Sequence, residues 1–136
     1  MRRLAFLLAV ALLCVAPRSA AAQAITAVSG SAASTLVVKQ TSGRLWDVYA
    51  NCTAICWLMV FNATAAPTNG ATTAGPATTA GNMFHCVAIG ANGVGTVQYQ
   101  PGGTEFFSTG VVVMISSTAC ATLTASTVAF IHARVD

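Results

Sequence analysis

The sequence predicts an all-β protein: an antiparallel β-sandwich with jelly-roll-like or immunoglobulin-like connections, preceded by a helical signal peptide. Three observations lead there. Short runs of Val, Thr, Ala and aromatic residues recur and are broken by Gly, Pro or Asn, which is the rhythm of strands and turns. Beyond residue 24 no stretch repeats apolar residues at the three-and-four spacing of an amphipathic helix. Several runs alternate polar with apolar residues, as a strand with one buried face does.

The chain opens Met1-Arg2-Arg3, continues with the uncharged apolar run Leu4 to Ala16, and reaches Pro17, Arg18 and small residues ending Ala22-Gln23-Ala24. A basic start, an apolar centre and an A-x-A site make a secretory signal peptide over residues 1–24, cleaved after Ala24 with Ala22 as runner-up. The apolar run is shorter than the roughly 20 residues that span a bilayer. Cys14 follows Leu13, where a lipoprotein signal would carry a small residue.

Residues 25–136 suffice for a single domain with a modest core. Candidate strands are Ile25–Ser29, Ser34–Gln40, Arg44–Ala50, Ile55–Asn62, Met83–Ile89, Gly93–Gln98, Thr104–Ser108, Gly110–Ser117 and Ala125–Arg134. Thr41-Ser42-Gly43 and Pro101-Gly102-Gly103 supply turns, and Asn92-Gly93 is a hairpin signal because both positions tolerate positive φ. In the last strand Val128, Phe130 and His132 share one face, and Thr127, Ala129 and Ile131 the other; Val97 and Tyr99 oppose Thr96 and Gln98. Ile55 to Phe61 is apolar on both faces. Such a strand is central in a sandwich or is covered on its outer side by a partner, and the second option is the best hint of an interface in the sequence. Residues 63–82 contain only Ala, Thr, Gly, Pro and Asn, with Ala-Thr-Thr-Ala-Gly at 71–75 and again at 77–81. They read as a low-complexity surface loop with no core anchor, the most mobile and protease-sensitive part of the domain.

The full chain carries a formal charge of +3. Arg2, Arg3 and Arg18 leave with the leader. What remains is Lys39, Arg44 and Arg134 against Asp47, Glu105 and Asp136, a net charge of zero. No basic patch exists for nucleic acid or an anionic membrane, and no membrane attachment is expected after cleavage. A neutral surface also gives little protection against self-association. Cys52, Cys56, Cys86 and Cys120 are an even set in an exported small domain and read as two disulfides. The favoured pairing is Cys52–Cys56 with Cys86–Cys120; its rival is Cys52–Cys120 with Cys56–Cys86. A four-cysteine zinc site is the competing reading, set against the loose Cys-x3-Cys spacing and two singletons.

No motif converges on catalysis, and no cofactor or metal is expected. Asp47 and Glu105 lie far apart without motif context and read as solvated or turn residues. His85 and Cys86 are neighbours on a strand and point to opposite faces, which disfavours a nucleophile pair. His132 reads as a strand histidine. Asn51-Cys52-Thr53 and Asn62-Ala63-Thr64 match the N-glycosylation pattern. Trp46, Tyr49 and Tyr99 are the candidate interaction surface, since flat rings with polar neighbours suit carbohydrate, whereas Trp57 belongs to the core or an interface.

The stretches Ser42 to Asn51, Trp57 to Ala63, Phe107 to Thr118 and Thr122-Leu123-Thr124 resemble small β-sandwich proteins encoded in phages and prophage-like regions, virion surface or decoration components. The resemblance spans roughly residues 34–134. It implies an antiparallel sandwich that works through its surfaces, and it transfers no catalytic residue. The leader and the cysteines depart from that pattern, because virion parts assemble in the cytoplasm. A host-encoded secreted relative reconciles the two. The expectation is therefore a secreted, periplasmic or extracellular, non-enzymatic structural or interaction module, phage-derived and self-associating or bound to a protein partner. The alternative is a secreted carbohydrate-binding module, whose mark would be Trp46 and Tyr99 exposed side by side.

Overall fold

The structure, a computed structural model, describes residues 24–71, 82–99 and 105–136. The expected signal peptide and most of the repeat loop lie outside the described residues. Among the described residues nine strands follow one another: β1 Ile25–Val28, β2 Thr35–Lys39, β3 Gly43–Cys52, β4 Cys56–Asn62, β5 Asn82–Ile89, β6 Gly93–Gln98, β7 Glu105–Phe107, β8 Val111–Ser116 and β9 Ala129–Val135. Each matches an expected strand, although the last begins four residues late. Ala125 makes only an isolated bridge to Ser116.

All pairings are antiparallel. One sheet has the order β1-β9-β3-β6, with β7 also along β3; the other has the order β2-β8-β4-β5. With β7 set aside, the first strand pairs with the last, the second with the last but one, the third with the sixth and the fourth with the fifth. That is a long hairpin rolled into two sheets, the jelly-roll solution to unpaired edges. Of the two connection schemes expected, the structure takes this one.

The core lies between the sheets. Leu45, Val48 and Ala50 of β3 and Ile131, Ala133 and Val135 of β9 meet Leu58 and Val60 of β4 and Val111, Val113 and Ile115 of β8. Residues two apart carry this layer, as strand alternation requires, except at Leu45 and Val48 of β3, which are three apart across a register shift.

Rolling the hairpin changes how two local signals are used. A turn forms over Gly90–Gly93, one residue earlier than the Asn92-Gly93 pair expected at its centre, with Asn92 at φ 55° and Gly93 N–H donating to Gly90 C=O at 3.0 Å. It does not close a hairpin within a sheet, because β5 pairs with β4 and β6 with β3. Ile89 packs close against Gly95 across this step: a Cβ there would sit 2.3 Å from the Ile89 side chain. Likewise Cys52 and Cys56 do not flank a hairpin. They end β3 and begin β4 in opposite sheets, and their disulfide staples that crossover.

The strand that is apolar on both faces has an intramolecular explanation. Met59 and Phe61 of β4, with Val112 and Met114 of β8, point away from the main core into a second one closed by Ala71 and Leu123. Two segments of the chain cover this outer face. Gly70 N–H donates to Leu123 C=O at 2.8 Å, Leu123 N–H donates to Ala71 C=O at 3.0 Å, and Ala125 N–H donates to Asn69 Oδ1 at 2.8 Å. Cys86, on the same outer face, is bonded to Cys120 and holds the second segment down. No partner is needed to bury this strand, so the interface hint read from it is withdrawn. The reading of residues 63–82 as a loop without a core anchor is corrected for its first half, where Ala71 is buried; residues 72–81 lie outside the described residues.

The bare face of the five-stranded sheet as candidate functional site

Among the described residues nothing covers the outer face of the five-stranded sheet in this way. Its side chains form a grid fixed by strand register. Thr26, Arg134, Asp47 and Gln98 make one row across β1, β9, β3 and β6, and Val28, His132, Tyr49 and Thr96 make the next. A third row, Phe130, Asn51 and Val94, follows. The face is graded: its first row is polar, its second mixed, and its third largely apolar, with Phe130 51% and Val94 63% exposed.

Two contacts order the first two rows. Arg134 Nη2 donates to Asp47 Oδ2 at 2.6 Å. Tyr49 stacks on His132 with ring centroids 4.6 Å apart and planes 19° from parallel, within the range where offset aromatic pairs attract. Cross-strand neighbours on a pleated sheet meet in this way without backbone adjustment. Between the rows lies a shallow cavity of about 330 Å³, lined by side chains of both.

A β-bulge decides which aromatic residues reach this face. On β3, Leu45 pairs with Val135 and Asp47 with Arg134, leaving Trp46 as the extra residue. A bulge flips the strand's alternation. Leu45 therefore points into the core, while Asp47 and Tyr49, two and four residues on, point outward. Trp46 is half-buried at the bulge, with the Arg134 guanidinium 5.7 Å from its ring centre. The indole Nε1 is buried without a hydrogen-bond partner among the described residues, as is His132 Nδ1.

No family model, curated protein or solved structure matches this chain. The site therefore rests on the chain's own residues. Of the three aromatic residues expected on an interaction surface, Tyr49 is exposed on the bare face and Trp46 lies at its margin. Tyr99 is turned inward, packed against the main core, and meets His85 edge-on at 5.3 Å. Trp46 and Tyr99 are joined by a backbone hydrogen bond, Tyr99 N–H to Trp46 C=O at 3.0 Å, but they are not exposed side by side. His132 and Arg134 of β9 are among the site residues that sequence reasoning did not nominate, with Asp47, Gln98, Thr26 and Thr96. The signal for His132 and Arg134 is register: β9 runs beside β3, and both face outward opposite Tyr49 and Asp47.

The remaining titratable groups are separated. His85 lies between the sheets, and Cys86 faces the opposite way into its disulfide. The backbone of Glu105 pairs with Leu45 at the start of β7. Among the described residues no group of three or more His, Cys, Asp or Glu could hold a metal ion. Asn62 is taken up by the fold: its Nδ2 donates to Ser108 Oγ at 3.0 Å, and its Oδ1 accepts from Thr109 N–H at 2.9 Å. Asn51 remains exposed on the bare face.

Proposed function

We propose that this chain is a secreted, non-enzymatic interaction module that binds through the bare outer face of its five-stranded sheet. One observation carries the reading: among the described residues, the chain covers the central strands of one outer face with its own segments and leaves the other outer face open. Exposed apolar and aromatic residues gathered on one sheet face mark interaction surfaces more often than scattered ones do. The two disulfides belong to an oxidising, extracytoplasmic compartment, which fits the leader read at residues 1–24. Among the described residues no helix is long and apolar enough to cross a membrane.

A non-enzymatic role is supported by how the titratable groups are used. Asp47 is paired with Arg134, His85 is packed between the sheets and His132 is stacked on Tyr49. None of them addresses a common reacting atom, as acid–base chemistry requires. The resemblance to phage-type sandwich proteins is compatible with a jelly roll, an architecture shared by viral capsid and lectin domains. That agreement is at the level of fold and lends context, not a partner.

Amide chemical shifts of the exported protein test the reading, followed through a dilution series and through titration with glycans. Binding of either kind is expected to move resonances on the bare face, around Tyr49 and His132 for a glycan and around Phe130 and Val94 for self-association. Shifts confined to the opposite side, at Thr118 to Thr124, would overturn the assignment of the face.

A further inference from the structure

The polar half of the bare face has the chemistry of a saccharide site. We infer that the cavity between Asp47, Tyr49, Gln98 and Arg134 binds one ring of a neutral sugar. This inference rests on the bare face being the working surface and names its ligand class.

Size is the first argument. A cavity of about 330 Å³ is at the lower end of small-molecule sites. It has room for a monosaccharide unit with water around it and is too small for a folded partner's anchor cluster. The lining is the second. Thr26 and Thr96 offer hydroxyls, Gln98 an amide, Asp47 acceptor oxygens and Arg134 donor nitrogens. Such a set alternates donors and acceptors, which is what a ring of hydroxyl groups demands. Charge is the third. Arg134 and Asp47 neutralise one another at 2.6 Å, so an anion meets a carboxylate and a cation meets a guanidinium. A neutral polyol can bond to both without separating them. Arg134 and Asp47 keep donor and acceptor capacity beyond their mutual bond.

The aromatic pair completes the site. Tyr49 is 42% exposed, and its stacking on His132 restrains the ring before any ligand arrives. A restrained aromatic beside hydrogen-bonding groups suits the apolar C–H face of a pyranose. Both rings stand on β3 and β9, strands bonded on each side, so little order must be gained on binding. A protein partner would favour a different part of the face. Its anchors would be the apolar side chains Val28, Phe130 and Val94, which line no part of this cavity.

The test uses the exported, disulfide-bonded protein on an array of immobilised neutral, uronic-acid-bearing and sialylated glycans. Affinities are then measured with soluble oligosaccharides of the class retained. Neutral glycans are expected to bind. Tyr49→Ala should weaken binding about tenfold, Tyr49→Trp should restore it, Gln98→Ala should weaken it severalfold, and Val94→Ser should leave it unchanged. Retention of only acidic glycans overturns the inference. So does failure to bind any glycan by a protein that self-associates through Tyr49 and Phe130, although that result leaves the bare-face reading standing. Glycan binding that survives Tyr49→Ala and moves only resonances at Thr118 to Thr124 overturns both.

Discussion

The two outer faces of this sandwich are built from similar strands and treated in opposite ways. The four-stranded sheet turns Met59, Phe61, Val112 and Met114 outward and then buries them beneath residues 63–71 and 117–128. The five-stranded sheet turns Phe130, Tyr49 and Val94 outward and leaves them in solvent. Cover is therefore a selective feature of the fold. The long connections sit where the outward residues of the two central strands are mostly apolar. The face left open is the one where polar residues, an ion pair and an aromatic stack are interleaved. An apolar side chain on the first face is a core residue; on the second it is a surface residue with the same strand geometry beneath it.

The comparison breaks most sharply at two phenylalanines. Phe61→Ala removes a fully buried ring from the covered face and should cost about 3–5 kcal/mol, the range for buried aromatic truncations. Phe130→Ala removes a half-exposed ring from the bare face and should change stability by about 0.5 kcal/mol. Urea unfolding of both variants measures the difference. Equal losses would mean that the two faces are not distinguished by cover.

The disulfides sharpen the same contrast. Cys86–Cys120 spans 34 residues and ties the cover to its sheet, whereas Cys52–Cys56 spans 4 and ties a crossover. In the chain-entropy account, loops of these lengths contribute about 4 and about 2 kcal/mol. Replacing Cys86 and Cys120 together by Ser should therefore lower stability more than replacing Cys52 and Cys56. It should also raise binding of a hydrophobic dye, because Met59 and Phe61 lose the restraint on their cover. A larger loss from the Cys52–Cys56 pair, measured by the same denaturation, would contradict that ranking.

The strands were legible because their signals are local: β-branched runs, period-two alternation, and turn residues between them. Sheet membership was not, because an Asn-Gly turn looks the same whether it closes a hairpin or steps between sheets. Here the strands on either side of the turn pair with different partners, β5 with β4 and β6 with β3. The cover was illegible for a related reason. Ala71 is one alanine among several in a segment without period, and Leu123 is a single large apolar residue among small and polar ones; both are buried because the chain folds back over β4 and β8. The bulge at Trp46 did leave a trace. Leu45 and Val48 are three apart, out of step with a period of two, which places an extra residue between them and moves Tyr49 to the outside. His132 and Arg134 were invisible as site residues until β9 was known to lie beside β3.

A single hydroxyl holds the root of the cover. Ser116 Oγ is fully buried and accepts from Thr124 N–H at 2.9 Å and Thr118 N–H at 3.2 Å. Ser116→Ala strips the acceptor from two backbone donors and should cost about 1–3 kcal/mol, the range for leaving buried polar groups unpaired. Hydrogen exchange checks it locally: the Thr124 amide should lose protection while Tyr49 and His132 keep theirs.

The smallest expected effect lies on the bare face, in the Asp47–Arg134 pair. The two side chains are 22% and 48% exposed, so water and salt screen their attraction. Pairs of this kind contribute about 0.2–1 kcal/mol in double-mutant cycles. The cycle Asp47→Asn, Arg134→Gln and the double variant should return a coupling in that range, diminishing as ionic strength rises. Fold stability thus depends little on this pair. If the same substitutions weaken saccharide binding far more than they weaken the fold, the pair's role is recognition. A coupling of several kcal/mol in stability, insensitive to salt, would instead make it a structural element and would leave the bare face with fewer residues free to serve a ligand.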